Sequence, residues 1–277
     1  MPELPEVELV ARSLDRLVGG RRIVAAKLLQ PTIAPETTPA AFARRLRGRR
    51  IERVGRRGKF IVFEFERGLR MLTHLRMTGR FLLLPAEAAL PKHTHAILYL
   101  DDERRLVFSD QRRFGRMRLV RAEELPHLKQ LRALAPEPFA AEFTPEYLRA
   151  VLARTRRSLK ETLLDQTKVL GLGNIYAVEA MFRAGLHPQT IAARVSARRL
   201  ARLHQAILAV LNEAIAHGST MNVDPEDIEG SYYDGDFNGH WRVYDRAGEP
   251  CGNCGAKIRR IVQAKRSTYF CPRCQQR

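Results

Sequence analysis

The chain has 277 residues, 45% of them apolar, and its 48 Lys plus Arg outweigh 30 Asp plus Glu to leave a net charge of +18. That length suggests about two domains, and the apolar content excludes a disordered or collagen-like chain. The charge points to polyanionic partners, nucleic acid first, with a basic membrane-surface protein or a ribosomal protein as the other readings.

The opening stretch, residues 2–20, predicts a helix. Pro5 suits a first helical turn, Val7, Val10, Leu14, Leu17 and Val18 recur at 3–4 spacing, and Gly19-Gly20 end it. Glu3, Glu6 and Glu8 stand where an export signal carries basic residues before an apolar run. No stretch reaches the ~18 apolar residues of a membrane span. From about 22 to 120 the pattern changes to short strand-like runs at 22–29, 59–65, 69–75, 81–84, 96–100 and 105–108, separated by polar turns. So many short strands predict a β-sandwich or barrel with the first helix packed on it.

Pro126, Pro136 and Pro138 mark a connector, after which helices are expected at roughly 145–153, 158–166, 174–184 and 197–217, the last closing at Gly218. Residues 219–242 show no periodicity. Between 224 and 242 there are six acidic residues and one basic residue, Arg242, a composition that should avoid phosphates. A short strand-like piece is then expected before the cysteines. The predicted architecture is a β domain, a helical domain and a small C-terminal metal ribbon.

All four cysteines lie in the last 27 residues, as Cys251-x2-Cys254 and Cys271-x2-Cys274 with 16 residues between the pairs. Each Cys-x-x-Cys turn presents two thiolates on one side of a knuckle, and two knuckles close a tetrahedral S4 zinc site. A redox pair or chance clustering is the other reading of the pattern. Four protein ligands leave no open position, so such a zinc is structural. The segment 251–277 carries seven basic residues and no acidic one, which suits it to gripping phosphates.

The sequence begins Met1-Pro2-Glu3. Removal of the initiator Met would leave Pro2 with a free secondary amine, whose pKa near 8 keeps it partly neutral and nucleophilic. Glu3 beside it could serve as a proton donor if burial raises its pKa. Many chains open this way, and the pair alone does not make a site.

Six motifs occur together in this order: PELPEVE at 2–8, RRGKF at 56–60, KHTH at 92–95, DQRRFG at 110–115, GLGNIYAVEA at 171–180 and the four-cysteine ribbon. With them the whole chain resembles the bacterial formamidopyrimidine-DNA glycosylases of the helix-two-turn-helix family. Leu4 favours this branch over the endonuclease VIII type, which opens Pro-Glu-Gly-Pro-Glu. The resemblance implies an α+β fold: an N-terminal β-sandwich catalytic domain with flanking helices (1–125), a linker (126–144), a helix-two-turn-helix domain with a lesion-capping loop (145–242) and a zinc finger (243–277). It implies a base-excision-repair enzyme that removes oxidised purines (8-oxoguanine, formamidopyrimidines) and nicks abasic sites by β,δ-elimination. The expected partner is double-stranded DNA carrying such lesions, met by a monomer in the cytoplasm, associated with the nucleoid and not with a membrane.

By the same resemblance Pro2 is the Schiff-base nucleophile, Glu3 the proton donor to the opening deoxyribose, Lys59 an acid in β-elimination that touches phosphate, and Arg266 a phosphate ligand serving δ-elimination. Without it, Lys59 reads as a solvated residue in a run, 41–60, of nine basic residues. His93, Arg112, Arg113, Lys160 and Asn174 are the expected DNA contacts. Met77, Arg112 and Phe114 are the expected fillers of the gap left by an extruded base; Phe114 has a plain core residue as its alternative. Cys251, Cys254, Cys271 and Cys274 hold one structural zinc. Two further readings stay open: an endonuclease VIII-like glycosylase for oxidised pyrimidines, and a zinc-ribbon DNA-binding protein without catalysis.

Overall fold

A computed structural model describes residues 1–218, 224–226 and 240–277. Two compact units are present, the first built from Met1–Arg132 with Gly218–Asp236 and the second from Ala133–His217 with Phe237–Arg277.

The first unit opens with helix α1 (Leu4–Val18), which starts at Glu3 with Pro5 in its first turn and ends at Gly19. Strand β1 (Ile23–Leu28) and the short helix α2 (Pro39–Leu46) follow. Seven strands then run in succession: β2 (Ile51–Arg57), β3 (Phe60–Phe65), β4 (Leu69–His74), β5 (Gly79–Pro85), β6 (Thr94–Leu100), β7 (Arg104–Asp110) and β8 (Arg116–Arg121). They form two antiparallel four-stranded sheets, in the orders β1-β6-β7-β5 and β2-β3-β4-β8.

One apolar core joins the sheets to the helices. Phe63 and Phe65 of β3, Phe81 and Leu83 of β5 and Phe108 of β7 meet Val7, Val10, Leu14 and Val18 of α1 within it. The rings of Phe63 and Phe81 pack edge-to-face at 5.3 Å, and those of Phe81 and Phe108 at 5.2 Å, a geometry the ring quadrupoles favour. The expected β-sandwich with flanking helices is thus the observed architecture. Leu82 and Leu84 point to the opposite face of β5, where they pack with Ile97 and Val107.

Several elements of this unit escaped the sequence reading. β2 and β8 are rich in arginine and lack the strict alternation of a half-buried strand; each is specified by the strand it pairs with. α2 lies in a stretch read as strand-forming, although Thr38, whose side chain accepts from the Ala41 N–H at 3.2 Å, followed by Pro39 at the first helical position, is a helix start signal. The connector contains a 3-10 helix, Ala122–His127, and the short helix α3 (Lys129–Arg132).

The second unit contains α4 (Pro145–Ala153), α5 (Leu159–Leu163), α6 (Asn174–Arg183) and α7 (Ala197–Ala216), close to their expected positions. Thr144 and Ser158 cap α4 and α5 by accepting from the Tyr147 and Glu161 N–H groups. The hairpin β9 (Arg259–Gln263) and β10 (Arg266–Phe270) completes it. The strand-like piece expected before the cysteines is absent from residues 241–250; the strands lie between the cysteine pairs, where the metal knuckles hold both ends of the hairpin. Most of the acidic stretch at 224–242, and with it the expected lesion-capping loop, lies outside the described residues. Of that stretch, residues 224–226 belong with the first unit, where the Pro225 carbonyl accepts from the Leu83 N–H at 2.8 Å.

Candidate active site and zinc ribbon

Pro2 and Glu3 sit at the N-terminus of α1, with Glu3 as the residue that starts the helix. Pro2 is buried, and Glu3 is only 3% exposed. Glu6, one turn on, accepts from the Glu3 N–H at 2.7 Å and so holds the entry of the chain. Strand β2 runs alongside α1. Arg56 donates to Glu8 at 2.5 Å and the Val54 N–H to Asp15 at 2.6 Å, which places the β2–β3 turn at the Glu3 end of the helix.

That turn is Gly58-Lys59, joining the paired residues Arg57 and Phe60. Gly58 takes φ +56°, the left-handed value a two-residue hairpin turn needs at its first position. Lys59 is therefore a turn residue and not the first residue of a strand. At 6% exposure it is also not a solvated member of a basic run. Burying an ammonium is costly without partners, so its position is specified by the fold.

Close by, His74 at the end of β4 accepts through Nδ1 from the Arg76 N–H at 3.0 Å and meets the Phe60 ring edge-on at 4.8 Å. It lines a cavity of about 280 Å³ together with Phe60, Arg76 and Arg116. Burial first, then the charges of Arg76 and Lys59, lower its pKa to about 3. The folded protein keeps this ring neutral where the unfolded chain protonates it, so stability is fully present above pH ~6.5 and is lost as pH falls from there toward 3. Acidification should cost about 1.4 kcal/mol per pH unit from this residue. His74→Gln should show a shallower loss of the urea midpoint between pH 6.5 and 4; parallel curves for the two proteins would reject the assignment.

Residues 110–115 form a turn organised by Asp110, which is fully buried. Its carboxylate accepts from the Thr78 hydroxyl, from the Arg112 N–H at 3.2 Å and from the Gly115 N–H at 2.7 Å. A side chain at Gly115 would place its Cβ 2.6 Å from the Phe108 ring, so only glycine lets the turn close. The turn gathers the three expected gap fillers. Arg112 reaches the Met77 sulfur at 3.0 Å and lies over the Phe114 ring at 4.8 Å. Phe114 is 46% exposed, which removes the core reading. Arg113 is exposed beside it at φ +56°. His93 adjoins the same turn, its carbonyl accepting from the Asp110 N–H at 3.0 Å.

In the second unit, Asn174 opens α6 after Gly173 and donates to the Ser267 carbonyl at 3.0 Å. Arg266 is exposed at the start of β10, just after the turn Ala264-Lys265, both of whose residues have positive φ. The expectation that Lys160 touches phosphate is corrected: its side chain is 0% exposed and donates to the Ser267 carbonyl at 3.0 Å and the Thr268 hydroxyl at 2.5 Å. It fastens α5 to the ribbon strand that carries Arg266.

The sulfur atoms of Cys251, Cys254, Cys271 and Cys274 lie within 4.8 Å of one another, the Cys251–Cys274 and Cys254–Cys271 pairs at 3.9 and 3.4 Å. A tetrahedral zinc with ~2.3 Å bonds sets its sulfurs about 3.8 Å apart, whereas a disulfide needs about 2.05 Å. The donor set fits zinc, and the redox reading falls. Burial pushes the Cys271 and Cys274 thiols up, while a hydrogen bond with the Ala256 backbone brings Cys254 down to about 7.

Two buried acids were missed as organisers. Asp110 stands within a motif, and an Asp opening a turn is a recognisable signal. Glu179 is buried in α6 and accepts from the N–H groups of Arg242, Val243 and Tyr244 at 3.0, 2.9 and 2.8 Å. Burial pushes its carboxyl up against the pull of those three donors. Nothing local to the sequence marks it, because its partners lie more than 60 residues away.

Comparison with known proteins agrees with this geometry. Residues 1–117 match the formamidopyrimidine-DNA glycosylase N-terminal domain, 134–224 its H2TH domain, and 248–277 a zinc finger found in FPG and IleRS. Fold and site together define a DNA-repair protein of the helix-two-turn-helix class with a zinc ribbon. The chain is 42% identical over 276 residues to the formamidopyrimidine-DNA glycosylase of Desulforamulus reducens, covering 99% of each chain, and 44% identical over 277 residues to that of Bacillus subtilis, again covering 99% of each. The Lactococcus lactis Fpg in complex with abasic-site DNA superposes with a TM-score of 0.91 at 32% identity, covering 99% of this chain and 100% of that one. The chain belongs to the formamidopyrimidine-DNA glycosylase family. Cys251, Cys254, Cys271 and Cys274 hold its one structural zinc. Among the described residues no helix is long and apolar enough to cross a membrane.

Proposed function

We propose that this protein excises oxidised purines from duplex DNA and cleaves the resulting abasic site, with Pro2 as nucleophile once Met1 is removed. The observation that carries this reading is a carboxyl and an ammonium, Glu3 and Lys59, both buried at the same end of α1 beside Pro2. The Pro2 nitrogen attacks C1′ while Glu3 delivers a proton to the ring oxygen of the deoxyribose, and the base leaves. A secondary amine has no second proton to lose, so the adduct is an iminium cation. That cation draws electrons from C2′, the C2′ proton is removed, and the 3′ phosphate leaves with Lys59 as the acid. Arg266 grips the phosphates for the second elimination.

His93, Arg113 and Asn174 contact the DNA backbone, while Met77, Arg112 and Phe114 enter the stack where the base has left it. The exposed Phe114 face and the Arg112 fork above it are suited to stacking and to hydrogen-bonding the orphaned base. On this reading residues 1–125 are the catalytic domain, 126–144 a linker, 145–242 the helix-two-turn-helix domain and 243–277 the zinc finger. The enzyme works as a monomer in the cytoplasm, on nucleoid DNA. A Lactococcus lactis relative of 32% identity has been crystallised with DNA containing an oxidised pyrimidine, which keeps such lesions as a second substrate class to be assayed.

Borohydride reduces an iminium to a stable amine. Incubation with an 8-oxoguanine duplex and borohydride should therefore fix the DNA to the N-terminal peptide. Trapping that persists when the N-terminus is acetylated would remove Pro2 from the mechanism. Binding should also be dominated by phosphates: with about six contacts, log K should fall with log salt at a slope near −5, a loss of about 10³ between 50 and 200 mM. A nearly flat salt dependence would contradict this use of the +18 charge.

A further inference from the structure

The first unit has a second basic surface, at the opposite end of α1 from Glu3. The helix has 15 residues, which puts its C-terminus ~22 Å from its start. There the chain segments 20–23 and 48–51 cross as an antiparallel bridge, with the Ile23 and Ile51 N–H groups bonded to the Arg49 and Arg21 carbonyls at 2.8 Å each. Arg22 and Arg50 are the directly paired residues of this bridge. Like charges placed opposite one another on paired strands are destabilising.

The structure nevertheless fixes both guanidiniums in place. Arg22 donates to the Gly48 carbonyl at 2.6 Å, and Arg50 donates to the Gly20 carbonyl at 2.9 Å, each reaching across to the other segment. Among the described residues Glu66 is the carboxylate that touches the pair, 3.2 Å from Arg22, and the neighbouring Asp102 is held by Arg21 at 3.0 Å and Arg104 at 2.7 Å. Arg44 and Arg47, at the end of α2, add two exposed guanidiniums with no hydrogen bond or ion pair among the described residues. Of the guanidiniums of Arg22, Arg44, Arg47 and Arg50, among the described residues only that of Arg22 pairs with a carboxylate. Two of them are anchored on backbone carbonyls, so they lose little freedom when they bind an anion.

We propose that this surface is a second site for the phosphate backbone of duplex DNA, able to take one duplex while the Glu3 end of α1 engages another, so that the protein passes directly between DNA segments. The proposal rests on the reading that the chain acts on duplex DNA. Guanidinium forks bind phosphate through paired N–H groups, and a polyanion would relieve the repulsion between Arg22 and Arg50.

The test follows dissociation of the protein from a labelled duplex carrying a non-cleavable abasic analogue, in stopped flow, while unlabelled undamaged duplex is raised from ~1 to ~100 µM, the range in which non-specific backbone binding saturates. Direct transfer should make dissociation at least about threefold faster over this range, whereas simple release has no such dependence. The double variants R22Q/R50Q and R44Q/R47Q should both lose the acceleration and keep single-turnover cleavage of an abasic duplex. R44Q/R47Q removes side chains that have no partner among the described residues, so its folding is secure even if R22Q/R50Q loosens the bridge.

A parent rate independent of competitor, or an R44Q/R47Q variant that keeps the full acceleration, overturns the proposal. Equal acceleration by inorganic phosphate at the same phosphate concentration also overturns it. A parent that binds the analogue duplex but neither cleaves an abasic site nor traps with borohydride overturns the functional reading instead, and the dissociation data still decide the second site.

Discussion

Substituting Glu3 by Gln should collapse base excision by about 10²–10⁴-fold, the usual range for a general acid, while affinity for lesion-bearing DNA changes little. Glu3 is nearly fully buried at the start of α1. Gln has the same length and similar hydrogen-bonding capacity, so the helix start and the Glu3 N–H bond to Glu6 survive. What disappears is the transferable proton at the opening deoxyribose. A pre-formed abasic site needs no such activation, so Pro2 and Lys59 should still cleave it. Single-turnover assays on an 8-oxoguanine duplex and on an abasic duplex, run side by side, separate the two half-reactions. Equal loss on both substrates would mean that Glu3 serves both steps. Phe114→Ala should act the other way, weakening engagement of the lesion and leaving the amine chemistry intact.

The second large effect is expected from Cys254→Ser. Structural zinc contributes about 10–16 kcal/mol of apparent binding free energy to small metal modules, and a two-stranded hairpin alone is marginal in water. Strands β9 and β10 have five residues each. Without the metal, the Ser267 carbonyl should no longer be held by Lys160 and Asn174, and Arg266 should lose its placement. DNA affinity should fall by about tenfold or more, and the salt slope should become shallower by about one for each phosphate no longer gripped. The first unit, with its own core, should keep its thermal transition. A zinc-free variant with unchanged DNA affinity would show that the ribbon is dispensable. Because all four thiols must be deprotonated to bind zinc, removal of the metal by a chelator should be faster in acid than at neutral pH.

Features carried by short-range spacing were legible in the sequence. The two Cys-x-x-Cys pairs specify a zinc site because ligand geometry is local to each knuckle. α1 and α7 follow from apolar periodicity and the glycines that close them, and most strands of the sandwich follow from alternation and turns. The order of motifs from Pro2-Glu3 to the ribbon was sufficient for the family.

Tertiary structure decided what depends on residues far apart in the chain. Lys59 and Lys160 look alike as basic residues in a basic sequence, yet both are buried. One turns at the end of α1, and the other bonds to residues more than 100 positions later. β2 and β8 are strands because β3 and β4 supply their hydrogen-bond partners, not because their own residues alternate. Glu179 becomes an organiser only when the N–H groups of Arg242, Val243 and Tyr244, more than 60 residues on, are brought to it. The repulsive Arg22–Arg50 pair exists only where two segments 28 residues apart cross. Periodicity and spacing are properties of the chain alone, whereas burial, charge pairing and cross-strand opposition arise only from contacts that folding creates.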